Sequence, residues 1–256
     1  MAASECSLSV EDGVAVVTLQ APERRNVLSA AMVTGLRSAY DLAEADSSVR
    51  CVVLTGSGKA FCAGADLKTL EQAAEGDFDP VRSVYEGFLR VLDSPLPTIG
   101  AVNGAAVGAG FNLALACDVR IASTTAWFDT RFAALNLHPG GGHTQLLSRV
   151  VGGQNAAMAV LFGETWDASA ALERGLVASI HDPGTVLAEA IGLGRRLSTH
   201  SPAYVRTLTK TLRLAGSGAS HREVLQAETV AQEWSLKQPE FLAGLERIRG
   251  QMISRS

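Results

Sequence analysis

Two short stretches of small residues are the parts of this chain best suited to chemistry: Gly64-Ala65-Asp66 and Gly108-Ala109-Gly110. Each follows an apolar run, and the second leads into a further apolar segment, Phe111 to Cys117. Small residues at such a turn let a ligand approach backbone N–H groups, and a helix N-terminus that follows favours negative charge. Two such loops could aim one N–H each at a single carbonyl oxygen. That arrangement serves reactions passing through an enolate or a tetrahedral oxyanion, where one donor contributes roughly 3 kcal/mol. Two tight turns filled by small residues for packing produce the same pattern. The residues alone leave both readings open.

Other chemistries have less support. Gly108-Ala109-Gly110 begins like a dinucleotide fingerprint, but Leu113 stands where the third glycine belongs. Gly58-Lys59 is followed by Ala60, and Val53 replaces the first glycine of a phosphate loop. No G-x-S-x-G elbow occurs. Cys62 as a nucleophile competes with a plain packing role. The five histidines follow no metal-binding spacing and the four cysteines form no C-x-x-C pair, so no metal is expected.

With 256 residues, the chain is long enough for one full core, with or without a helical appendage. Its 22 basic and 26 acidic residues leave a net charge of −4, no footprint for nucleic acid or an anionic membrane. A phosphorylated small ligand needs only a local basic patch and stays permitted. Few, unpaired cysteines fit reduced thiols, so a cytoplasmic location is expected. The N-terminal MAASECSLSVEDG has neither a basic start nor an apolar core, and no signal peptide is expected. The most apolar window, Ala101 to Cys117, is interrupted by Asn103, Gly104 and Gly108 and is short for a bilayer.

The elements that must position the two loops can be read in order. Ser7–Val10 and Val14–Leu19 flank Glu11-Asp12-Gly13, a hairpin signal. Ser29 can cap a helix carrying Met32, Leu36, Tyr40 and Ala43 and ending near Asp46. Cys51–Leu54 reads as a buried strand, Glu71–Pro80 as an acidic mobile surface segment, and Val81–Leu92 as a helix. Thr98–Val102 and Val119–Ala122 read as strands, and Phe128–Gly142 as loop. Leu146–Val151, Asn155–Phe162 and Ala168–Arg174 read as short helices, and Leu176–Ile180 as a strand. From Gly184 onward only helices are expected. The pattern is α/β with a C-terminal helical part.

Five segments taken together carry a resemblance: PERRNVLS (Pro22–Ser29), AFCAGADL (Ala60–Leu67), NGAAVGAGFNLALACDVRIA (Asn103–Ala122), HPGGGHTQLLSRVVG (His138–Gly152) and ERGLV (Glu173–Val177). In content and spacing they resemble the enoyl-CoA hydratase/isomerase family, the crotonase superfamily, over nearly the whole chain. The resemblance implies a crotonase-like spiral of ββα units (1–195) and a C-terminal helical region (196–256) that trimerises, as a homotrimer or a homohexamer. It also implies a coenzyme A thioester as substrate or ligand, with no permanently bound cofactor. By position, Ala65 and Ala109 would supply the two N–H donors, Ala109 replacing the family's usual glycine. Ala63, Asp66, Leu67 and Lys68 would line the coenzyme, and Arg24 or Arg25 would meet its phosphates.

The chain also departs from the family. Its hydratases keep one glutamate two residues after the Gly-x-Gly and a second in an F-G-x-P-E run; here those positions hold Asn112 and Phe132. Neither can serve as a base near neutrality, and positioned acid–base groups contribute about 10² to 10⁴ in rate. Ordinary two-glutamate hydration is therefore not expected. Acid–base groups vary in position across the superfamily, and the candidates here are Asp129, His138 and His143, with Asn112 as an orienting group. The expected activity is an acyl-CoA transformation through a thioester enolate, of lyase or isomerase type. The alternative is a non-catalytic acyl-CoA-binding protein on the same scaffold.

Overall fold

The computed structural model describes residues 4–253, with side chains described through 250. Residues 1–3 of the N-terminal stretch and 254–256 of the expected helical region lie outside it. The chain divides after Ser198 into two compact units.

The first unit begins with strands β1 (Cys6–Glu11) and β2 (Val14–Leu19), helix α1 (Ala30–Ala45) and strands β3 (Cys51–Gly56) and β4 (Ala60–Cys62). Helices α2 (Leu67–Ala74) and α3 (Asp79–Leu92) follow, then β5 (Thr98–Val102), β6 (Ala105–Val107) and α4 (Ala109–Leu115). The rest is β7 (Val119–Ser123), β8 (Trp127–Asp129), α5 (His143–Leu161), β9 (Trp166–Asp167), α6 (Ala168–Glu173), β10 (Ile180–His181) and α7 (Val186–Arg195). Repeated strand–strand–helix units make this the ββα spiral implied by the resemblance.

The larger sheet runs β1-β2-β3-β5-β7-β10; only the β1–β2 hairpin is antiparallel. Its central strands are buried on both faces, which is why they read as unbroken apolar runs. Val52 and Leu54 join one core with α1, while Cys51 and Val53 join a second core under α7 with Val186 and Ala190. The smaller sheet, β4-β6-β8-β9, positions the site. Strands β4, β6 and β8 are mutually parallel, with Ala60 opposite Ala105 and Ala105 opposite Trp127. Parallel pairing delivers the chain after all three strands to one end. The loops at 63–66, 108 and 130–132 therefore emerge side by side.

Three sequence expectations need correction. Glu71–Pro80 is not a featureless segment: α2 takes its first residues and α3 begins at Asp79. Asp66 caps α2 by accepting from the Lys68 N–H, a start signal that the acidic composition obscured. Phe128–Gly142 contains the end of β8, because β6 supplies its ladder partner, and a 3-10 turn at Ala133–Leu135. The two helices expected across Leu146–Phe162 are present within α5, parted at Gly152, whose φ of 77° and ψ of 162° are not helical. The strand over Leu176–Ile180 shrinks to Ile180–His181, because the Leu176 and Val177 N–H groups turn back to Ala171 O to close α6.

The second unit comprises α8 (Pro202–Gly216), α9 (His221–Ser235) and α10 (Pro239–Ile253). Ser201 caps α8, and Ser220 with Glu223 forms a capping box on α9. Leu212, Val230 and Leu242 are exposed on these helices. No helix among the described residues is long and apolar enough to cross a membrane.

Candidate active site

The loops after β4 and β6 touch at the backbone. Gly64 has φ 98°, and a Cβ there would lie 2.7 Å from Val107 O and 3.5 Å from Ala109 N. Gly110 backs onto β4 so closely that a Cβ would lie 2.0 Å from Cys62 O. Glycine at these positions is therefore a requirement of close approach. Ala65 and Ala109 both pack against the main core through their methyl groups. Among the described residues neither the Ala65 nor the Ala109 N–H has a protein acceptor. Ala109 is the first residue of α4, so its N–H has no partner within the helix.

These two residues line a cavity of about 1090 Å³ with largely apolar walls. Ala63, Asp66, Leu67, Asn112, Phe132 and His138 line it as well, as do Arg24 and Arg25. Lys68, Asp129 and His143 do not. Leu70 and Ala73 of α2, with Phe78, Val84 and Tyr85, form a further wall that sequence reasoning missed. Its signal was the helical recurrence of Leu67, Leu70 and Ala74.

The arginine loop is fixed to the site by backbone bonds. The Ala63 N–H donates to Arg25 O at 2.9 Å, and the Leu28 N–H to Gly64 O at 2.8 Å. Asn26, fully buried, donates from Nδ2 to Ser57 O and Ala60 O and accepts from the Ala21 N–H. That residue was also missed, although an asparagine inside PERRNVLS was its visible sign. Arg24 is paired with Glu5, whereas Arg25 makes no ion pair among the described residues. Arg25 is therefore the better placed of the two to meet an anion.

Asp129 is committed elsewhere. Its Oδ1 accepts from the Arg131 N–H at 2.6 Å, and its Oδ2 pairs with the Arg131 guanidinium at 2.8 Å. Arg131 sits at φ 61°, an unusual backbone for this residue type, and itself lines the cavity. His143 is also withdrawn, lying between the rings of Phe111 and Phe132 with Nδ1 2.6 Å from Asn112 Oδ1. Burial pushes its pKa down to about 4, so the imidazole is neutral near neutrality. His138 is exposed at the cavity wall, with Nδ1 2.8 Å from Pro139 O. A carbonyl only accepts, so Nδ1 carries the proton and Nε2 presents a lone pair.

Cys62 is fully buried, and burial pushes its thiol up to about 12, which removes the nucleophilic thiolate. The described residues contain no cluster of His, Cys, Asp or Glu able to hold a metal ion.

The ββα spiral, with Ala65 and Ala109 following parallel strands and lining one apolar cavity, is the architecture of a crotonase-fold enzyme. The chain belongs to the enoyl-CoA hydratase/isomerase family, whose model matches residues 9–248. It is 44% identical over 245 residues to a probable enoyl-CoA hydratase of Mycobacterium tuberculosis, covering 93% of this chain and 94% of that one. It is 36% identical over 242 residues to the 1,2-epoxyphenylacetyl-CoA isomerase of Escherichia coli, covering 85% and 92%. The crystal structure of an enoyl-CoA hydratase from Bacillus anthracis superposes with a TM-score of 0.88 at 30% identity, covering 96% of each chain. The relatives thus include both a hydratase and an isomerase by name, and this chain is an enzyme of their family.

Proposed function

We propose that this enzyme acts on an acyl-CoA thioester whose carbonyl oxygen accepts from the Ala65 and Ala109 N–H groups. The observation that carries the reading is the pair of N–H groups without protein acceptors, brought together at the Gly64–Ala109 contact. Arg25, with Arg24 beside it, meets the coenzyme phosphates, and Ala63, Asp66 and Leu67 flank the coenzyme; Lys68 extends that edge outside the cavity wall. The acyl chain lies along the apolar wall of α2 and α3.

The reaction begins at the acyl α-carbon. A C–H bond breaks, the proton moves to His138 Nε2, and the electron pair settles on the thioester oxygen as an enolate. Return of that proton from His138 to a different carbon of the enolate, or to the opposite face of the α-carbon, completes an isomerase cycle. In a lyase cycle the enolate electrons form the α–β double bond, and the β-group leaves with its bonding pair and takes up the proton from His138. Asp129 holds Arg131, and His143 holds Asn112. Two-glutamate hydration has no proton-moving groups here, because Asn112 and Phe132 occupy those positions. The exposed Leu212, Val230 and Leu242 of the second unit support assembly as a homotrimer or homohexamer. A cytoplasmic location suits the four buried free thiols.

The test is incubation with a panel of acyl-CoA thioesters, with products followed by mass spectrometry and binding by calorimetry. Turnover of at least one thioester is expected. Binding without turnover of any would make the protein a carrier on the same scaffold, and no binding would remove the reading altogether.

A further inference from the structure

Asn112 can be accounted for atom by atom. Gly140 O only accepts, so the amide atom facing it at 3.1 Å is Nδ2. Oδ1 then faces His143 Nδ1, which carries the proton between them. The amide oxygen and one N–H are thus committed to the protein. The second N–H has no protein acceptor among the described residues. Gly140 lines the cavity and His143 does not, so the nitrogen edge is the one turned toward it. Asn112 is only 1% exposed, so its donor is already stripped of bulk water, and leaving such a donor unmet is costly.

Its place along the acyl chain follows from α4. Asn112 lies three residues after Ala109, and side chains so spaced on a helix lie about 5–6 Å apart. A thioester oxygen on the Ala109 N–H places the first acyl carbons beside the Asn112 amide. The ring of Phe132, also on the wall, offers no competing polar group.

We propose that Asn112 is a specificity-determining donor, and that the preferred ligands are 3-oxoacyl thioesters, with a carbonyl oxygen on the β-carbon. The proposal rests on reading the cavity as an acyl-thioester site. A 3-oxo group only accepts and matches a side chain that only donates there. A saturated chain leaves the amide N–H unmet. A 3-hydroxyl would also need an acceptor for its own proton, and Asn112 Oδ1 is already taken by His143. Deprotonation between two carbonyls also spreads the enolate charge over two oxygens, each with a donor.

The experiment is calorimetric titration of the full chain with acetoacetyl-CoA and butyryl-CoA, which differ at the β-carbon oxygen. Acetoacetyl-CoA is expected to bind about ten-fold tighter, the worth of one hydrogen bond at a desolvated donor. In Asn112→Leu the preference should vanish, through weaker acetoacetyl-CoA binding and the removal of the unmet donor that penalises butyryl-CoA. Equal affinities in the unsubstituted protein overturn the proposal while leaving the acyl-thioester reading standing, and this comparison needs no variant to fold. A preference that survives in a folded Asn112→Leu protein also overturns it. Binding of neither ligand removes both readings.

Discussion

Asn112 and His143 form one buried unit, with the His143 Nδ1–H donating to Asn112 Oδ1 at 2.6 Å and both side chains 1% exposed. The histidine thereby decides which edge of the amide meets the cavity. Its Nε2 has no hydrogen-bond partner among the described residues, which raises the cost of adding a proton to an imidazole already shielded by Phe111 and Phe132.

The first prediction concerns pH and stability. His143 has a folded pKa of about 4 against an ordinary value of 6.5. The unfolded chain binds the extra proton first as pH falls, so this contribution to stability is present above 6.5 and is lost toward 4. The loss should be on the order of 3 kcal/mol. Urea denaturation across this range should show that slope, and His143→Gln should flatten it. A slope unchanged in the variant would assign the effect to other groups.

The Gly64 contact gives the second. Gly64→Ala places a Cβ 2.7 Å from Val107 O at a φ of 98°, so the two loops must separate. Destabilisation of about 2 kcal/mol or more is expected, together with loss of acyl-CoA binding. Thermal melting and titration read the two effects separately. Full binding by this variant would mean that the loop contact is only packing.

A third prediction separates the proton-moving group from its neighbours. His138→Ala should lower kcat by about 10² to 10⁴ with little change in acyl-CoA affinity. Asp129→Asn should instead act through Arg131, which it holds by two contacts, and change stability more than the chemical step. Single-turnover kinetics of both variants test the assignment. A fully active His138→Ala protein would transfer the role elsewhere.

Hydration gives the fourth. On the proposal that Asn112 and Phe132 stand at the glutamate positions, loss of crotonyl-CoA absorbance should run at least about 10²-fold below the rate of a two-glutamate relative assayed alongside. Matching rates would mean that a group other than these two activates water.

The backbone scaffold is largely legible in the sequence. The turn residues Glu11-Asp12-Gly13 between two runs predicted the β1–β2 hairpin, and Ser29 with its helical apolar spacing predicted α1. Strand β8 and the wall formed by α2 escaped for different reasons. A three-residue strand has no periodicity of its own and is defined by its partner β6. Glu71 on α2 and the acidic residues just after it, Glu75, Asp77 and Asp79, masked the apolar residues that line the cavity. The loops at Ala65 and Ala109 stood out because glycine is forced there by contacts of under 3 Å at Gly64 and Gly110. Side-chain commitments were not legible: nothing in the spacing says that Asp129 turns to Arg131 or that His143 turns to Asn112. Arg131 at positive φ had no sequence signal, since a left-handed arginine is set by tertiary context.

The central claim is that the Ala65 and Ala109 N–H groups hold a thioester oxygen. Ala109 opens α4, the position where proline is best tolerated, so Ala109→Pro deletes one donor without breaking the helix. The direct measurement is the infrared carbonyl stretch of a bound, isotope-labelled acyl-CoA. The account predicts a shift to lower frequency in the unsubstituted protein, a smaller shift in Ala109→Pro, and a fall in kcat of about 10² to 10³. An identical shift and undiminished turnover in a folded Ala109→Pro protein would contradict it.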